Sequence, residues 1–504
     1  MTGPTNLGDL VPAGTPADKI AVIDLLDAAR PREYSFADME RMIRGVARLV
    51  AAQNYPRGSR VGIMGFNRAE YVAVYFGVMR AGLVAVPVNT KLPDAMIEYI
   101  LGDAEVRMVF ADAASAGRVG GGRPVISFDD AGPQGFAARL DDGPFESFVP
   151  QLSDVAQQLY TSGSTGRPKG VPLTHESQLW ALRVRTLAPD AQGERFIVAA
   201  PLFHMNGLFS TKSAFAMGAS LVLLPSFTPR GYAEAVARYR VTALTSVPTM
   251  IARMLKETDL METLDLGTVR RIVMGSAPIT LNLYRKVQDI FPRAVIVHTY
   301  GTTEAGPAIF GAHPKGLPTP PLALGYPVAG GEVKLVGGAD ENEGVLWMRN
   351  PSVMSEYHNL PAQSAKALHD GWYISGDVMR RDADGFYYFV GRADDMFVCS
   401  GENIYPGEVE KLLEQHPGIH QASVVPLADE ERGQMPVAFV VPRPGAGLDY
   451  AEVRRFALAH APAYQHPRRV EFLDELPLAG TNKIDRRTLT LRAEANEAAK
   501  HWSA

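Results

Sequence analysis

Apolar residues along this chain fall into short unbroken runs, separated by stretches in which they recur every third or fourth position. RVGIMGF (60–66), RFIVAA (195–200), SLVLLP (220–225), VTALTSV (241–247), VRRIVMG (269–275) and RAVIVHTY (293–300) are the clearest runs. A strand without alternation of apolar and polar positions has both faces covered, so these runs predict a mostly parallel sheet packed between helices. Segments such as YAEAVARYR (232–240) and PTMIARMLKE (248–257) keep helical spacing and supply the cover. The alternation predicts an α/β fold, a large N-terminal unit of sheets covered by helices, with its chemistry at the carboxyl ends of the strands.

The texture changes near GRADDMFVCSGENIYPGEVEKLLEQ (391–415). Val409, Leu412 and Leu413 make one apolar helix stripe behind Pro406, a residue that the first turn of a helix tolerates. Strands at ASVVPL (422–427) and VAFVVPR (437–443) and a helix at YAEVRRFALAHA (450–461) come next, enough for a small α+β domain of its own. The expected division is 1–392 and 393–504, with the joint at Ala393–Asp395. GRVGGGRP (117–124) reads as a surface loop.

Composition narrows the class without naming a reaction. The 504 residues are 46% hydrophobic and 21% charged, which supports a large core and excludes a chain disordered throughout. A formal net charge of −5 leaves no basic footprint for nucleic acid or an anionic membrane. One cysteine excludes an intramolecular disulfide framework and a cysteine-rich zinc site. No secretory leader is visible and no uncharged apolar stretch reaches about 18 residues, so a cytoplasmic protein is expected.

Candidate chemistry is concentrated in four segments. YTSGSTGRPKG (160–170) interleaves Thr161, Ser162, Ser164 and Thr165 with Gly163 and Gly166, and adds Lys169. Glycines admit a polyanion close to the backbone, hydroxyls and amides donate to its oxygens, and the lysine adds charge. Pro168 precedes that lysine and Gly170 comes after it, so the Gly-Lys-Ser/Thr ending of an ordinary P-loop is missing. TYGTTE (299–304) closes a strand; Tyr300 offers a face to a nucleobase, Thr303 a donor to phosphate and Glu304 a ligand to magnesium. Taken alone, it is equally a polar strand-to-loop junction. WYISGD (372–377) and GRADD (391–395) offer Asp377 as acceptor for two vicinal ribose hydroxyls and Arg392 as a further donor, although Asp after Gly is also common in turns. LPLAGTNKIDRR (476–487) sets Lys483 in a Pro/Gly/Asn-rich loop, where a plain surface charge is the competing reading.

In this order and spacing the segments resemble the acyl-adenylate-forming superfamily of acyl-CoA synthetases, peptide-synthetase adenylation domains and beetle luciferases, from about Tyr34 to Leu489. RAGLVAVPVN (80–89), PLFHMNG (201–207), VPTM (247–250), GSAP (275–278) and SGENIYPGEVE (400–410) extend the likeness, which leans toward aryl acid–CoA ligases of the 4-chlorobenzoate type. The resemblance implies a two-step ligase that uses ATP, Mg²⁺ and coenzyme A. A carboxylate attacks the α-phosphate of ATP, pyrophosphate leaves, and a thiol then displaces AMP from the acyl-adenylate. Positioned cations and amides stabilise the charge that develops in each step.

Carried over residue by residue, the likeness assigns Thr161, Ser162, Gly163, Ser164, Thr165, Gly166 and Lys169 to the β- and γ-phosphates. It lays Tyr300 on the adenine and puts Ser276, Ala277, His298, Thr299, Gly301 and Thr302 in the nucleotide pocket. Thr303 meets the α-phosphate, Glu304 binds Mg²⁺, and Asp377 with Arg392 holds the ribose. Lys483 bridges the reacting carboxylate and the α-phosphate, a task for a compact point charge. The small domain is expected to be mobile and to rotate between the two steps about Asp394, carrying Lys483 away and bringing Ser400–Asn403 in, with Gly401 along the pantetheine passage. Lys91, Arg432, His466 and Arg468 are the candidates for the phosphates of coenzyme A, and Tyr464 for its adenine; a solvated cation is the competing reading for each charge.

The acyl pocket is expected from Val184, His204, Met205, Asn206, Ser246, Gly275, Thr299, Gly301 and Gly306, with His204 as a gate between the two conformations or else a buried core histidine. That lining lacks a carboxylate for an amino group and the apolar run of a long-chain site, which favours a small or aromatic acid of benzoate, furoate or hydroxycinnamate type. Short- or medium-chain fatty acids and dicarboxylates are the alternatives. Arg183 and Arg185 read as helix-surface charges, or as partners of the second carboxylate of a diacid. Asn482 stands where the family has Gly, Gln465 where many members have Lys, and His298 where several have Asn. A luciferase-like monooxygenase and an inactive paralogue are the rival classes. The expected partners are a carboxylic acid, ATP and coenzyme A, not nucleic acid or membrane, for a monomer or homodimer.

Overall fold

The apolar runs form strands that are shorter than the runs themselves. The protein is known here as a computed structural model, which describes residues 4–161, 167–185, 193–338, 340–399, 402–429, 432–461, 465–479, 484–500 and 502. Five of the runs lie in a seven-stranded sheet ordered Val295–His298, Arg271–Met274, Ala243–Ser246, Arg195–Val198, Ser220–Leu223, Ile20–Asp24, Arg32–Ser35. Its neighbours are parallel except for the last pair. The sixth run supplies Arg60–Met64 to a six-stranded sheet ordered Val125–Ser127, Met108–Ala111, Arg60–Met64, Val84–Pro87, Val155–Thr161, Lys169–Thr174, which ends in an antiparallel hairpin. Residues beyond each strand end, such as Ala199, Ala200 and Gly275, stay buried after leaving the ladder, which is why the apolar pattern overshoots.

Helix Ala69–Arg80 has all twelve residues buried, matching its sequence AEYVAVYFGVMR, apolar on every side. Its two buried charges are paired, Glu70 with Arg68 at 2.9 Å and Arg80 with Glu40 at 2.6 Å. The amphipathic helix Phe36–Ala51 packs on it and begins with a reciprocal cap between Ser35 and Asp38.

Two expectations are corrected. Burial on both faces does not hold for Val295–His298, because it is the edge of its sheet and Val295 is 63% exposed. Nor are the sheets mostly parallel throughout. Glu332–Gly337, Glu343–Arg349 and Trp372–Arg381 run antiparallel, and Leu368–His369 and Tyr387–Arg392 both pair with Trp372–Arg381. This third sheet buries alternate residues of Glu343–Arg349, a pattern too short to stand out in the sequence.

The chain leaves that sheet at Arg392 and enters another at Phe397. The last sheet is ordered Glu402–Ile404, Phe397–Cys399, Gly433–Pro442, Ile419–Asp429, with Arg469–Phe472 parallel to Gly433–Pro442. Ala422, Val424, Ala438 and Val440 meet Val409 and Leu413 of helix Pro406–Leu413 and Val453 and Ala457 of helix Tyr450–His460. Val425, Leu427, Val437 and Phe439 face the other way, onto Leu489 and Ala493 of helix Arg486–Ala499. Leu412, expected in the apolar stripe, is only half-buried. The molecule is therefore an α/β protein with a large N-terminal and a small C-terminal α+β part. Among the described residues no helix is long and apolar enough to cross a membrane.

Candidate active site

Four neighbouring parallel strands of the seven-stranded sheet end on one side of it, and most residues expected in the acyl pocket lie at or just beyond those ends, whereas Val184 closes helix His175–Val184. After Arg195–Val198 comes His204, the N-cap of helix Met205–Ala216, half-buried and edge-on to Phe203. Met205 and Asn206 open that helix, and Asn206 Nδ2 reaches the carbonyl of Ser246 at 3.4 Å. Ser246 ends the next strand, Gly275 comes after the third and Thr299 after the fourth. A β-carbon on Gly275 would lie 2.3 Å from Thr299 Oγ1, so only glycine lets these two ends approach. Ser276, exposed beside it, holds φ at 66°, a left-handed conformation costly for serine. Strain of this kind concentrates where a ligand is gripped.

His298 ends the edge strand with Nδ1 3.2 Å from the carbonyl of Leu322. Burial pushes its imidazole down to about 4, so it is neutral at physiological pH and suited to a hydrogen bond rather than a charge contact. Ala277 supplies a second backbone contact to this ring. Beyond it the chain folds tightly. Thr302 Oγ1 accepts from the amide of Ala305 at 2.9 Å, and the Thr302 amide donates to the carbonyl of Gly306 at 3.2 Å. Gly301 lies against Gly306 and Pro307, and Gly306 against Ser352. This loop presents Thr303 half-buried and Glu304 buried.

Thr161 and Lys169, at the two ends of the Gly/Ser-rich segment, belong to the antiparallel strands Val155–Thr161 and Lys169–Thr174 and lie directly opposite each other in the register. Thr161 Oγ1 is buried without a hydrogen-bond partner among the described residues, a group that an incoming phosphate oxygen would satisfy. Lys169 Nζ rests 4.1 Å from the ring centre of Tyr357, whose hydroxyl donates to Glu304 Oε1 at 2.9 Å. One tyrosine thus stands between the cation and the carboxylate, which do not pair with each other. Behind the hairpin, Tyr160 donates to Asp103 at 2.6 Å, while His358 reaches the Asp103 carbonyl at 3.0 Å and donates its amide to Gly170. Tyr357, His358 and Asp103 carried no signal in the sequence, because ordinary residues far apart in the chain meet here.

Asp377 and Arg392 face each other across two antiparallel strands, with Arg392 Nη1 2.8 Å from Asp377 Oδ1. The hydroxyl of Tyr300 donates to the other Asp377 oxygen, so the aromatic ring and the buried carboxylate form one surface. Arg392 also reaches Asp394 at 3.2 Å; burial works against its charge, but these two carboxylates hold its guanidinium above the usual range.

Among the described residues no group of three His, Cys, Asp or Glu side chains could cage a metal. A single buried carboxylate, Glu304, suits Mg²⁺, which keeps waters and substrate phosphates as its other ligands. Arg432, His466 and Arg468 gather on the small part; Arg468 Nη1 lies 2.8 Å from His466 Nε2, and burial together with Arg432 lowers the Arg468 guanidinium. Arg432 is also paired with Asp429 at 3.2 Å. Lys91 stands apart from them, exposed in the loop after Val84–Pro87. Ser162, Gly163, Ser164, Thr165, Gly166, Gly401, Tyr464 and Lys483 lie outside the described residues.

Val184 packs, with Phe209, against the buried cluster of Trp180, Ala181, Ala308 and Val328. Arg183 is a surface charge as expected, exposed and paired with Glu176. The surface reading of Arg185 is corrected: its Nε is enclosed by protein, and Nη2 points to the carbonyl of Pro307.

Residues 10–358 match the AMP-binding enzyme family, and residues 408–483 match its C-terminal domain. The chain belongs to the AMP-binding enzyme family. It is similar to the feruloyl-CoA synthase of an Amycolatopsis species, 32% identical over 460 residues that cover 89% of this chain and 92% of that one. It is 30% identical to the fatty acid–[acyl-carrier-protein] ligase ScoC of Streptomyces coeruleorubidus, with 93% of each chain covered. Among solved structures of AMP-binding enzymes it is similar to the anthranilate CoA ligase AuaEII in complex with anthranoyl-AMP, with a TM-score of 0.87, 26% identity and 98% of this chain and 99% of that one covered.

Proposed function

We propose that this AMP-binding enzyme is an ATP-dependent acid–CoA ligase that converts a small or aromatic carboxylic acid to its adenylate and then to its thioester, releasing pyrophosphate and AMP. The observation that carries the reading is the placement of Lys169 and Glu304 on either side of Tyr357, next to the Tyr300–Asp377–Arg392 surface. A cation and a carboxylate kept from neutralising each other are available to phosphate and to its metal. Similarity to ligases of ferulate and anthranilate supports the aromatic acid.

In the first step Thr161 and Lys169 hold the terminal phosphates, with Ser162–Gly166 completing the loop. The Tyr300 ring covers the adenine and Asp377, paired with Arg392, accepts from the ribose hydroxyls. Glu304 would hold Mg²⁺, which when bound neutralises phosphate charge. Thr303 donates to the α-phosphate while an oxygen of the acid attacks its phosphorus and pyrophosphate departs. Lys483 spans the carboxylate and the α-phosphate, cancelling charge on both as they approach. In the second step the thiol sulfur attacks the carbonyl carbon and AMP leaves. The small part, 393–504, is proposed to turn about Asp394 between these steps, exchanging Lys483 for Gly401 and its neighbours, with Arg432, His466 and Arg468 toward the phosphates of coenzyme A.

The test is a panel of carboxylic acids with ATP and Mg²⁺, each offered coenzyme A or a phosphopantetheinyl carrier protein. Acid-dependent AMP together with acyl-CoA is the expected result. Release of ADP, or no dependence on any acid, would refute the ligase, and thioester formed on the carrier protein alone would replace coenzyme A as acceptor. Light emission with a luciferin would identify the monooxygenase instead.

A further inference from the structure

Helix His175–Val184 ends in two arginines with opposite surroundings. Arg183 lies on the surface beside Glu176, whereas Arg185 turns under the loop beyond Gly306. Its one hydrogen bond among the described residues, from Nη2 to the carbonyl of Pro307, is long at 3.4 Å. Among the described residues Nε is enclosed without a hydrogen-bond partner, and no carboxylate is within ion-pair distance. Burial, with the like charge of Arg271, pushes the guanidinium down to about 10, which leaves it protonated at neutral pH. The side chain is half-buried with Nε enclosed, and a charge partly withdrawn from water without a counter-charge is costly. Lys212 on the facing helix Met205–Ala216 is also buried, but its Nζ has Gln178 Oε1 at 2.6 Å. Arg185 is the cation left wanting a partner.

Its neighbours indicate where that partner comes from. Val184, one residue earlier, and Phe209 both pack against the cluster that holds Ala308, and Phe209 and Ala308 belong to the helix and the loop that also carry Met205, Asn206 and Gly306 of the expected acyl pocket. We infer that Arg185 is a specificity-determining residue of the acyl pocket and that the acid carries a second carboxylate, remote from the reacting one, which takes the free guanidinium donors. The inference rests on the ligase reading and sharpens it: the substrate is a dicarboxylic acid, with an aromatic or small body that fits the remaining lining. A planar fork matched to a carboxylate gives direction as well as charge.

The experiment compares pairs of aromatic acids that differ only by an added carboxylate, scored by AMP release with ATP, Mg²⁺ and coenzyme A. The wild-type enzyme should favour the diacid of at least one pair by about tenfold or more in kcat/KM. Arg185→Gln should lower the diacid-to-monoacid ratio by about 100-fold, and Arg185→Lys should recover part of it. The Tm of Arg185→Gln should stay level or rise, since a half-buried charge without a counter-charge is removed; a purely structural arginine would give a lower Tm and the same fractional loss for both acids. Monoacids used as well as every diacid, or equal losses in the variant, overturn the inference and leave the ligase standing. A wild-type enzyme that releases AMP with no acid overturns the ligase reading and this one together.

Discussion

Glu304 and Lys169 owe their spacing to Tyr357, a residue that neither motif contains. Tyr357→Phe keeps the ring under Lys169 and deletes the hydrogen bond to Glu304. A hydrogen bond to a charged group contributes about 1.5–3 kcal/mol, so acid-dependent ATP–pyrophosphate exchange should need on the order of tenfold more Mg²⁺. An unchanged Mg²⁺ dependence would remove Tyr357 from the site. Lys483 belongs to the same scale. Lys483→Ala should lower acyl-AMP formation by about 100-fold or more while thioester formation from supplied acyl-AMP is spared; equal losses in both half-reactions would refute its role. The roles proposed for Thr161, Lys169, Tyr300, Glu304 and Asp377 come from local patterns whose residue types suit phosphate, base, metal or sugar. Tyr357 was not legible, and Arg185 could not be told apart from Arg183. Their significance lies in what they touch, and those contacts span 53 and 122 positions of the chain.

Element by element, strand and helix positions came from the apolar pattern wherever a strand was covered on both faces. The pattern failed for the antiparallel sheet from Glu332 to Arg392, where one face stays partly open and apolar residues merely alternate. It also shortened the hairpin Ile419–Asp429/Gly433–Pro442, whose ends carry polar residues. The small part holds a pH-sensitive element. Burial raises the carboxyl of Glu414, at the end of helix Pro406–Leu413, to about 8, although it accepts from the Ala422 amide at 3.1 Å. A carboxyl raised in the folded state favours the protein while it is neutral. Its contribution is complete below the ordinary value of 4.5 and is lost as pH rises from there through about 8. The Tm of the wild-type protein should therefore fall between pH 6 and 9 by more than that of Glu414→Gln. Parallel curves for the two would show that the carboxyl does not titrate in this range.

At the scale of the whole molecule, the chain crosses between two sheets over four residues, Ala393 to Met396, with Arg392 held by both Asp377 and Asp394 at the joint. A second tie lies across the same joint, where Lys411 Nζ of helix Pro406–Leu413 donates to the Phe389 carbonyl at 2.6 Å. The proposed rotation has to break that bond, so Asp394→Pro, which stiffens the pivot, should leave acyl-AMP formation close to wild type and depress thioester formation by about tenfold or more. Losses shared by both half-reactions would place the pivot elsewhere. By itself the sequence determined the class of chemistry, the α/β architecture and the order of the site segments, because phosphate loops and buried strands are patterns only a few residues long. Tertiary structure decided which of those residues face one another. The register sets Thr161 against Lys169 and Asp377 against Arg392, and packing sends Arg183 to solvent while Arg185 turns inward. Two arginines so close in the chain carry the same local signal, and only the elements packed around a helix end determine which of them turns inward.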